Sequence, residues 1–202
     1  MSHEAREQIA PSYPQHVTLR TVDGVVSLRR RWLVRLIRDA IARSHRADFR
    51  VTEFNVETNH LHLVIEADSN AARARGIQGM KVRIARCVNR ALERTGKLFE
   101  DRYHSRALKT PREVRNALRY VLNNALHHEA APSTRDGNWI DPCSSAAWFD
   151  GWRSPVVPDT WWKRELLAQP SPMARPTRWL LKVGWRRHGA LAFDEVPGPR
   201  VQ

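Results

Sequence analysis

Two histidines in a short apolar run are the first residues of this chain whose type and spacing could do chemistry. His60 and His62 lie in the segment ETNHLHLVIEAD, whose other residues predict a buried strand. Side chains alternate between the two faces of a strand, so both imidazoles share one face and the leucines share the other. Adjacent imidazoles are either a packed, hydrogen-bonded pair or the ligands of a metal ion. The pair alone leaves both interpretations open.

A predicted helix further along the chain carries a second polar group. Its start is marked by TPRE at residues 110–113, which is a capping box with proline at the first helical position. Asn116, Tyr120 and Asn124 are each four residues apart and form a polar stripe beside an apolar one. If the apolar stripe packs on the sheet, the helix presents Tyr120 and Asn124 to the histidines.

This combination of side chains has a definite chemical logic. Two imidazoles and one amide oxygen can hold a divalent ion and leave coordination positions open for a phosphodiester oxygen. A tyrosine can attack phosphorus and form a covalent ester. Tyr103, next to His104, is a second candidate nucleophile, but a strand tyrosine near a turn is usually structural.

The predicted elements that must position these groups run strand, helix, strand, strand, helix, strand, and then a further helix. This order predicts an α+β fold with the split βαββαβ sheet of ferredoxin-like proteins. The first and third strands are central neighbours in such a sheet, and the first two helices cover one face. The histidines, opposite the leucines, are expected on the other face, where the third helix can pack.

These motifs resemble a known family. NHLHLV followed by a helix with RYVLNN resembles the REP-associated tyrosine transposases, which are single-tyrosine HUH transposases. The resemblance spans roughly residues 14 to 155, through HVTLR, DRYHSRALKTPREVRNALRYVLNN and DPCSSAAWFDGW. It implies that His60 and His62 bind Mg²⁺ or Mn²⁺, that Asn124 completes the metal shell and that Tyr120 is the nucleophile.

The chain departs from this family at the end of the Tyr120 helix. The family usually continues Asn-Pro-Val-Arg after the helix asparagine, whereas this chain has Ala-Leu-His-His at residues 125–128. The role of His127 and His128 is therefore left open.

The charge of the chain predicts an anionic partner. The formal net charge is +13, with 34 basic and 21 acidic residues, and 29 of the basic residues are arginine. The arginine fork matches phosphate oxygens, so nucleic acid is a better candidate than a membrane surface, although a GC-rich genome also encodes arginine freely. The predicted phosphate contacts near the Tyr120 helix are Arg102, Arg106, Arg115 and Arg119.

Hydropathy and cysteine usage limit the cellular compartments expected for the chain. No stretch of 18 apolar residues predicts a membrane span, and the first 14 residues lack the apolar core of a signal peptide. Cys87 and Cys143 have no metal or redox spacing. We therefore expect a cytoplasmic protein, and the sequence does not decide between a monomer and a homodimer.

The composition divides the chain into three parts. Residues 1–14 are a loose N-terminus, residues 15–130 the nuclease-like domain, and residues 131–202 a helical or irregular extension rich in Pro, Trp and Arg. Seven of the eight tryptophans lie in the extension, which predicts a small packed core or a lid more than a base-stacking surface. Docking on the nuclease-like domain is favoured, since a free tail with this composition would expose a large apolar patch.

Together these observations predict metal-dependent cleavage and strand transfer of single-stranded DNA, folded into a REP-like hairpin, through a 5′-phosphotyrosine intermediate. Two alternatives remain. A non-catalytic nucleic-acid-binding module on the same fold would carry aromatic residues on the first and third strands, where this chain has His and Thr. A hydrolase would use metal-bound water instead of Tyr120 and would form no covalent adduct.

Overall fold

The computed structural model describes residues 10–127 and 137–198 of the chain. Four strands form one antiparallel sheet in the order β2-β3-β1-β4, so β1 and β3 are the central pair. The ferredoxin-like arrangement expected from the sequence is confirmed. The strands are β1 (Gln15–Arg20), β2 (Phe49–Val56), β3 (His60–Ala67) and β4 (His104–Ala107).

Helices lie on both faces of this sheet. The first two helices pack with the leucines of β1 and β3 in one hydrophobic cluster, and the third belongs to a separate cluster on the other face. Within the two described ranges, no helix has the length and apolar character needed to cross a membrane. The helices are α1 (Arg31–Ala42), α2 (Asn70–Ala91), α3 (Pro111–Leu122), α4 (Asn124–His127), α5 (Trp161–Leu167) and α6 (Trp179–Lys182).

The first turn of α3 has the capping box that the sequence predicts. The Thr110 hydroxyl accepts a hydrogen bond from the Glu113 backbone N–H at 3.2 Å, and the Glu113 carboxylate accepts one from the Thr110 N–H at 3.0 Å. Reciprocal bonds of this kind satisfy N–H groups that have no partner inside the helix. The box fixes where α3 begins and, with it, the position of Tyr120 ten residues later.

The start of α1 differs from the sequence-based expectation. Ser27 comes just before the apolar periodicity that starts at Leu28, which predicts Ser27 as the N-cap. The helix instead begins at Arg31, and Arg30 is the N-cap without a side-chain hydrogen bond. The Ser27 hydroxyl instead accepts a hydrogen bond from the Arg29 backbone N–H at 3.3 Å. Residues 27–30 are thus a turn before the helix, and the apolar periodicity misled because buried Leu28 precedes the helix.

A β-bulge in the middle of β2 reverses which of its side chains point to which face of the sheet. The register with β3 shifts between Val51 and Glu53, so Thr52 is the extra residue. Val51 packs with the α1 and α2 cluster before the bulge, and Phe54 and Val56 do so after it. An extra residue reverses which positions face the core, which places Glu53 and Asn55 on the α3 side.

The C-terminal extension first covers the exposed edge of β2. The Val56 N–H donates to the Cys143 carbonyl at 2.9 Å, and the Ser145 N–H donates to the Phe54 carbonyl at 2.9 Å. Further along, the Ala174 N–H donates to the Val51 carbonyl at 2.9 Å. A covered edge strand cannot pair with another chain.

The extension then crosses to the α3 face of the sheet. The Glu66 carboxylate on β3 accepts hydrogen bonds from the Thr177 N–H, the Thr177 hydroxyl and the Arg178 N–H at 2.7–2.9 Å. Trp185, which is 1% exposed, packs in the same cluster as Leu118 and Val121 of α3. The extension is therefore docked on the nuclease-like part, as the sequence favoured, and shares a hydrophobic core with α3.

Candidate functional site

The two histidines of β3 lie together on the α3 side of the sheet. The Nε2 atoms of His60 and His62 are 2.9 Å apart, and the ring planes are nearly perpendicular. His62 is 2% exposed, whereas His60 is only half-buried. The expectation that the leucines face the helical core and the histidines face the other side is confirmed.

Each imidazole is held by a contact at its second nitrogen. His60 Nδ1 lies 2.9 Å from the amide oxygen of Asn59, and an amide oxygen only accepts, so Nδ1 carries the proton. His62 Nδ1 lies 3.2 Å from the Thr18 hydroxyl and 3.1 Å from His16 Nε2. Contacts at the remote nitrogen fix the tautomer and the ring orientation of metal-binding histidines.

Tyr120 of α3 stands over this group. Its ring centroid lies 5.0 Å from that of His62 and 5.6 Å from that of His16, both edge to face. The side chain is half-buried and packs against the α3 cluster. The structure thus brings Tyr120 and the histidine pair together.

Asn124 is connected to His60 through Glu57. Its Nδ2 donates to Glu57 Oε1 at 2.7 Å, and the Glu57 backbone N–H donates to the His60 carbonyl at 2.8 Å. Asn124 is fully buried, and its Oδ1 has no hydrogen-bond partner among the described residues. Burying an unsatisfied amide oxygen is costly, so this atom is suited to a cation or another donor.

Glu57 also belongs to a buried ionic network with Arg29 and Asp141. Burial raises the pKa of Glu57, against the opposing effects of the Asn124 hydrogen bond and the charge of Arg29. Arg29 lies 3.6 Å from the Glu57 carboxylate and donates two hydrogen bonds to Asp141 at 3.0 and 2.8 Å. Burial alone would lower the pKa of Arg29, but the charge and the hydrogen bonds of Asp141, together with the charges of Cys143 and Glu57, outweigh burial and raise it. The guanidinium therefore stays charged and links the extension to the site.

The separation of the two histidine nitrogens fits a divalent ion. Two nitrogens that bind one ion at about 2.1 Å and at a right angle stand about 3.0 Å apart, close to the observed His60–His62 separation of 2.9 Å. Two neutral Nε2 lone pairs at this distance repel, unless a proton or a cation lies between them. In the part of the chain that is described, no group of three or more His, Cys, Asp and Glu has a metal-binding arrangement. Among the described residues, the Asn124 amide oxygen is the candidate for a third ligand.

The four arginines expected to contact phosphate differ in their surroundings. Arg102 and Arg106 are exposed, and Arg106 lies opposite His16 in the β1–β4 register. Arg119 is half-buried, and its Nε has no hydrogen-bond partner among the described residues. Arg115 donates to the carbonyls of Gly189 and Ala190 and to the Glu195 carboxylate, so its guanidinium already binds the extension.

Sequence reasoning missed His16 and Thr18, which complete the histidine group. The signal is present in the sequence, because the alternation in HVTLR puts Val17 and Leu19 on one face of the first strand and His16 and Thr18 on the other, and the first strand is expected beside the third. The structure pairs Thr18 directly with His62. Glu57 and Asp141 could not be found in this way, because their contacts join segments up to 112 residues apart. His128 lies outside the described residues, and only the backbone of His127, in α4, is described.

Comparison with known proteins gives one family and one related fold. The family model described as "Transposase IS200 like" matches residues 16–124, which is more than half of the chain and includes every residue of the candidate site except Asp141. No curated protein matches the sequence. A solved structure described as a REP-associated tyrosine transposase bound to a REP hairpin has the same fold, with a TM-score of 0.56 and 16% identity. The likeness covers 72% of this chain and 82% of that one.

Proposed function

Since the chain belongs to the family of IS200-like transposases, we propose that it cuts and rejoins single-stranded DNA through a covalent phosphotyrosine intermediate. The observation that carries the proposal is the approach of the Tyr120 ring to within 5.0 Å of the His62 ring, beside the His60–His62 pair. A nucleophile next to a group that can bind a cation is the combination that phosphodiester transfer requires.

In the proposed reaction the Tyr120 oxygen attacks the scissile phosphorus. The new bond joins the phenol oxygen to phosphorus, the bond to the 3′-oxygen breaks, and that oxygen leaves as a 3′-hydroxyl after it gains a proton. The 5′ end of the cut strand remains attached to Tyr120. Because the ester preserves the bond energy, attack by another 3′-hydroxyl reverses the step and joins a new strand without a nucleotide cofactor.

His60, His62 and Asn124 are the proposed holders of Mg²⁺ or Mn²⁺. A bound ion would polarise a phosphoryl oxygen as a Lewis acid and orient the scissile bond. Asn59, Thr18 and His16 hold the two rings in place for that role. Glu57 holds the Asn124 amide group by its nitrogen, which leaves the amide oxygen as the available ligand.

The proposed substrate is single-stranded DNA folded into a hairpin. The related solved structure is of a protein bound to a REP hairpin, and the strong positive charge of this chain suits any DNA backbone. Arg102, Arg106 and Arg119 are the proposed phosphate contacts. The same role for Arg115 stays a prediction, and its existing contacts with the extension give it a structural role as well.

The non-catalytic alternative receives less support from the sheet. Base stacking on a sheet needs exposed aromatic rings on its open face. The corresponding positions of β1 and β3 carry His16, Thr18, His60 and His62, and Tyr120 covers His16 and His62.

The direct test is a cleavage assay on end-labelled single-stranded hairpins, taken from the DNA that flanks the gene. We expect a denaturation-resistant protein–DNA adduct with Mn²⁺, no adduct with chelator, and no adduct from Tyr120→Phe. Tyr103→Phe is the matched control, because Tyr103 lies just before β4, and it should still form the adduct. An adduct from Tyr120→Phe would contradict the nucleophile, and cleavage without any adduct would favour the hydrolase.

A further inference from the structure

A cavity lies on the α1 side of the molecule, on the sheet face opposite the histidine pair. It has a volume of about 610 Å³, which is within the range of sites for organic ligands, and it opens between α1 and α5. Pro142 and Cys143 of the extension also line it. The cavity therefore exists only where the extension packs beside α1.

The lining of this cavity combines apolar side chains with four arginines, of which Arg29 and Arg31 already pair with carboxylates. Four arginines line it, against the single carboxylate of Glu165, which pairs with Arg31. Arg35 is exposed and has no hydrogen-bond or ion-pair partner among the described residues. An excess of guanidinium groups around a concave surface attracts phosphate. The four are Arg29, Arg31, Arg35 and Arg38.

Arg38 is the member of this set that most needs a counter-charge. It is 7% exposed, its Nε has no hydrogen-bond partner among the described residues, and its guanidinium contacts the Pro142 carbonyl through a 3.5 Å hydrogen bond and the Trp148 ring, whose centre lies 5.0 Å away. Burial lowers its pKa and the positive charge of Arg35 lowers it further, against the opposing charges of Asp39, Cys143 and Glu165. An anion between Arg35 and Arg38 would add to that opposing effect.

Tryptophan rings stand at the mouth of the cavity. Trp161 is 57% exposed and Trp32 is 43% exposed, although large apolar side chains are normally covered. The Arg31 guanidinium lies 4.1 Å from the centre of the Trp161 ring. Aromatic rings beside arginines are the usual surface for stacking the bases of a single strand while its phosphates are neutralised.

We propose that this cavity binds a single-stranded DNA segment that continues from the hairpin, with a phosphate between Arg35 and Arg38 and a base on Trp161. The identity of the ligand as DNA rests on the proposed function, whereas its chemistry, an anionic backbone with planar bases, follows from the lining. A charged peptide would supply the anion but would leave the exposed rings unused.

One side chain connects this cavity to the candidate catalytic site. Arg29 lines the cavity, and its guanidinium lies 3.6 Å from Glu57, the residue that orients Asn124. A strand held in the cavity is therefore connected to Asn124 by two successive contacts, from Arg29 to Glu57 and from Glu57 to Asn124. The two sites can serve the same DNA molecule, with the hairpin at one and its single-stranded tail at the other.

The test compares hairpins with and without tails on full-length protein that carries Tyr120→Phe, so that cleavage does not interfere. Fluorescence anisotropy measures affinity for a blunt hairpin, for the same hairpin with a 5′ tail and for one with a 3′ tail. We expect at least one tail to strengthen binding. Arg35→Ala and Trp161→Ala should each weaken binding of that tailed DNA about tenfold and leave the blunt hairpin unchanged.

Matched controls lie next to the cavity or elsewhere on the surface. Arg30 is exposed and does not line the cavity, and Trp179 is 49% exposed at a distant site. Arg30→Ala and Trp179→Ala should bind all three DNAs like the parent. Arg35→Ala should also lower the salt slope for tailed DNA by about 0.7, as expected for one lost contact to a single strand.

The proposal is overturned if neither tail strengthens binding, or if Arg35→Ala and Trp161→Ala bind tailed DNA as tightly as the parent. Equal losses on blunt and tailed DNA would also overturn it, because they would place the hairpin stem at the cavity. Failure of the proposed function looks different: protein with Tyr120 intact would form no adduct, while the tail dependence of binding would remain.

Discussion

At the scale of single residues, the site depends on what holds His62 in place. Its Nδ1 has two neighbours, Thr18 Oγ1 and His16 Nε2, and one N–H can serve only one of them well at a time. We expect Thr18→Val alone to have a small effect, because His16 remains. The double variant Thr18→Val/His16→Ala should weaken the apparent affinity for Mn²⁺ by 10- to 100-fold, which is typical of lost outer-shell partners.

The measurement is adduct formation as a function of Mn²⁺ concentration. Saturating Mn²⁺ should restore much of the rate in the double variant, because Tyr120, His60 and the His62 Nε2 atom are unchanged. A midpoint equal to that of the parent would show that these two neighbours do not position the ring.

Glu53 is the buried acid whose ionisation should appear in the stability of the protein. Burial raises the pKa of Glu53 to about 8, and the nearby Ser145 hydroxyl donates a hydrogen bond to it at 2.5 Å. Between pH 5 and pH 8 the unfolded chain loses this proton and the folded protein keeps it, so the free energy of unfolding falls as pH rises. The Glu53→Gln variant has no carboxyl group at this position, so its free energy of unfolding should not fall for this reason.

Thermal unfolding of Glu53→Gln and the parent at pH 5 and pH 8 tests this. The difference in melting temperature, variant minus parent, should be several degrees larger at pH 8 than at pH 5. The reason is that ionising Glu53 in the folded protein costs on the order of a few kcal/mol. An unchanged difference at the two pH values would mean that Glu53 ionises normally in the folded protein.

At the scale of elements, α3 depends on its first turn. Thr110→Ala removes the acceptor of the Glu113 N–H and should lower the free energy of unfolding by about 1 kcal/mol. Thr110→Ser keeps the hydroxyl and is the control. Urea unfolding monitored by tryptophan fluorescence gives the difference, and equal midpoints for Thr110→Ala and the parent would contradict the assigned cap.

Elements were predictable from the sequence where local signals determine them. The capping box fixes the start of α3, and the alternation of apolar residues places His60 and His62 opposite the leucines. The bulge at Thr52 has no local signal, because a strand of mostly buried residues reads the same with or without an extra one. The segment KLFEDRYHSRAL at residues 97–108 predicts a fourth strand, but only His104–Ala107 form it, because only these four residues pair with β1.

At the scale of the whole molecule, the extension determines whether the nuclease-like part can stand alone. A truncation after Pro155 removes Leu180, Leu181 and Trp185 from the cluster that covers α3, and it removes the partners of Glu66. Loss of a buried tryptophan alone typically costs about 3–5 kcal/mol. We expect the truncated protein to be insoluble or to lack a cooperative thermal transition.

A truncation after Gly198 is the control, because it keeps all of these contacts. The soluble fraction and the thermal transition of both proteins decide the question. Soluble truncated protein with a transition close to that of the full chain would show that the extension is a dispensable lid. The sequence favoured docking but could not give its extent, because the contacts of Glu66 with Thr177 and Arg178 span 111 and 112 residues.

The shared core of α3 and the extension has a consequence for the order of events during synthesis. The Tyr120 helix leaves the ribosome well before Trp185, yet Trp185 and its neighbours complete the hydrophobic layer over that helix. Domains generally fold during synthesis as their residues emerge, and an uncovered apolar helix face is not stable alone. Tyr120, the proposed nucleophile, should therefore gain its final position only after the extension has been translated, so a nascent or prematurely terminated chain should lack the proposed cleavage activity.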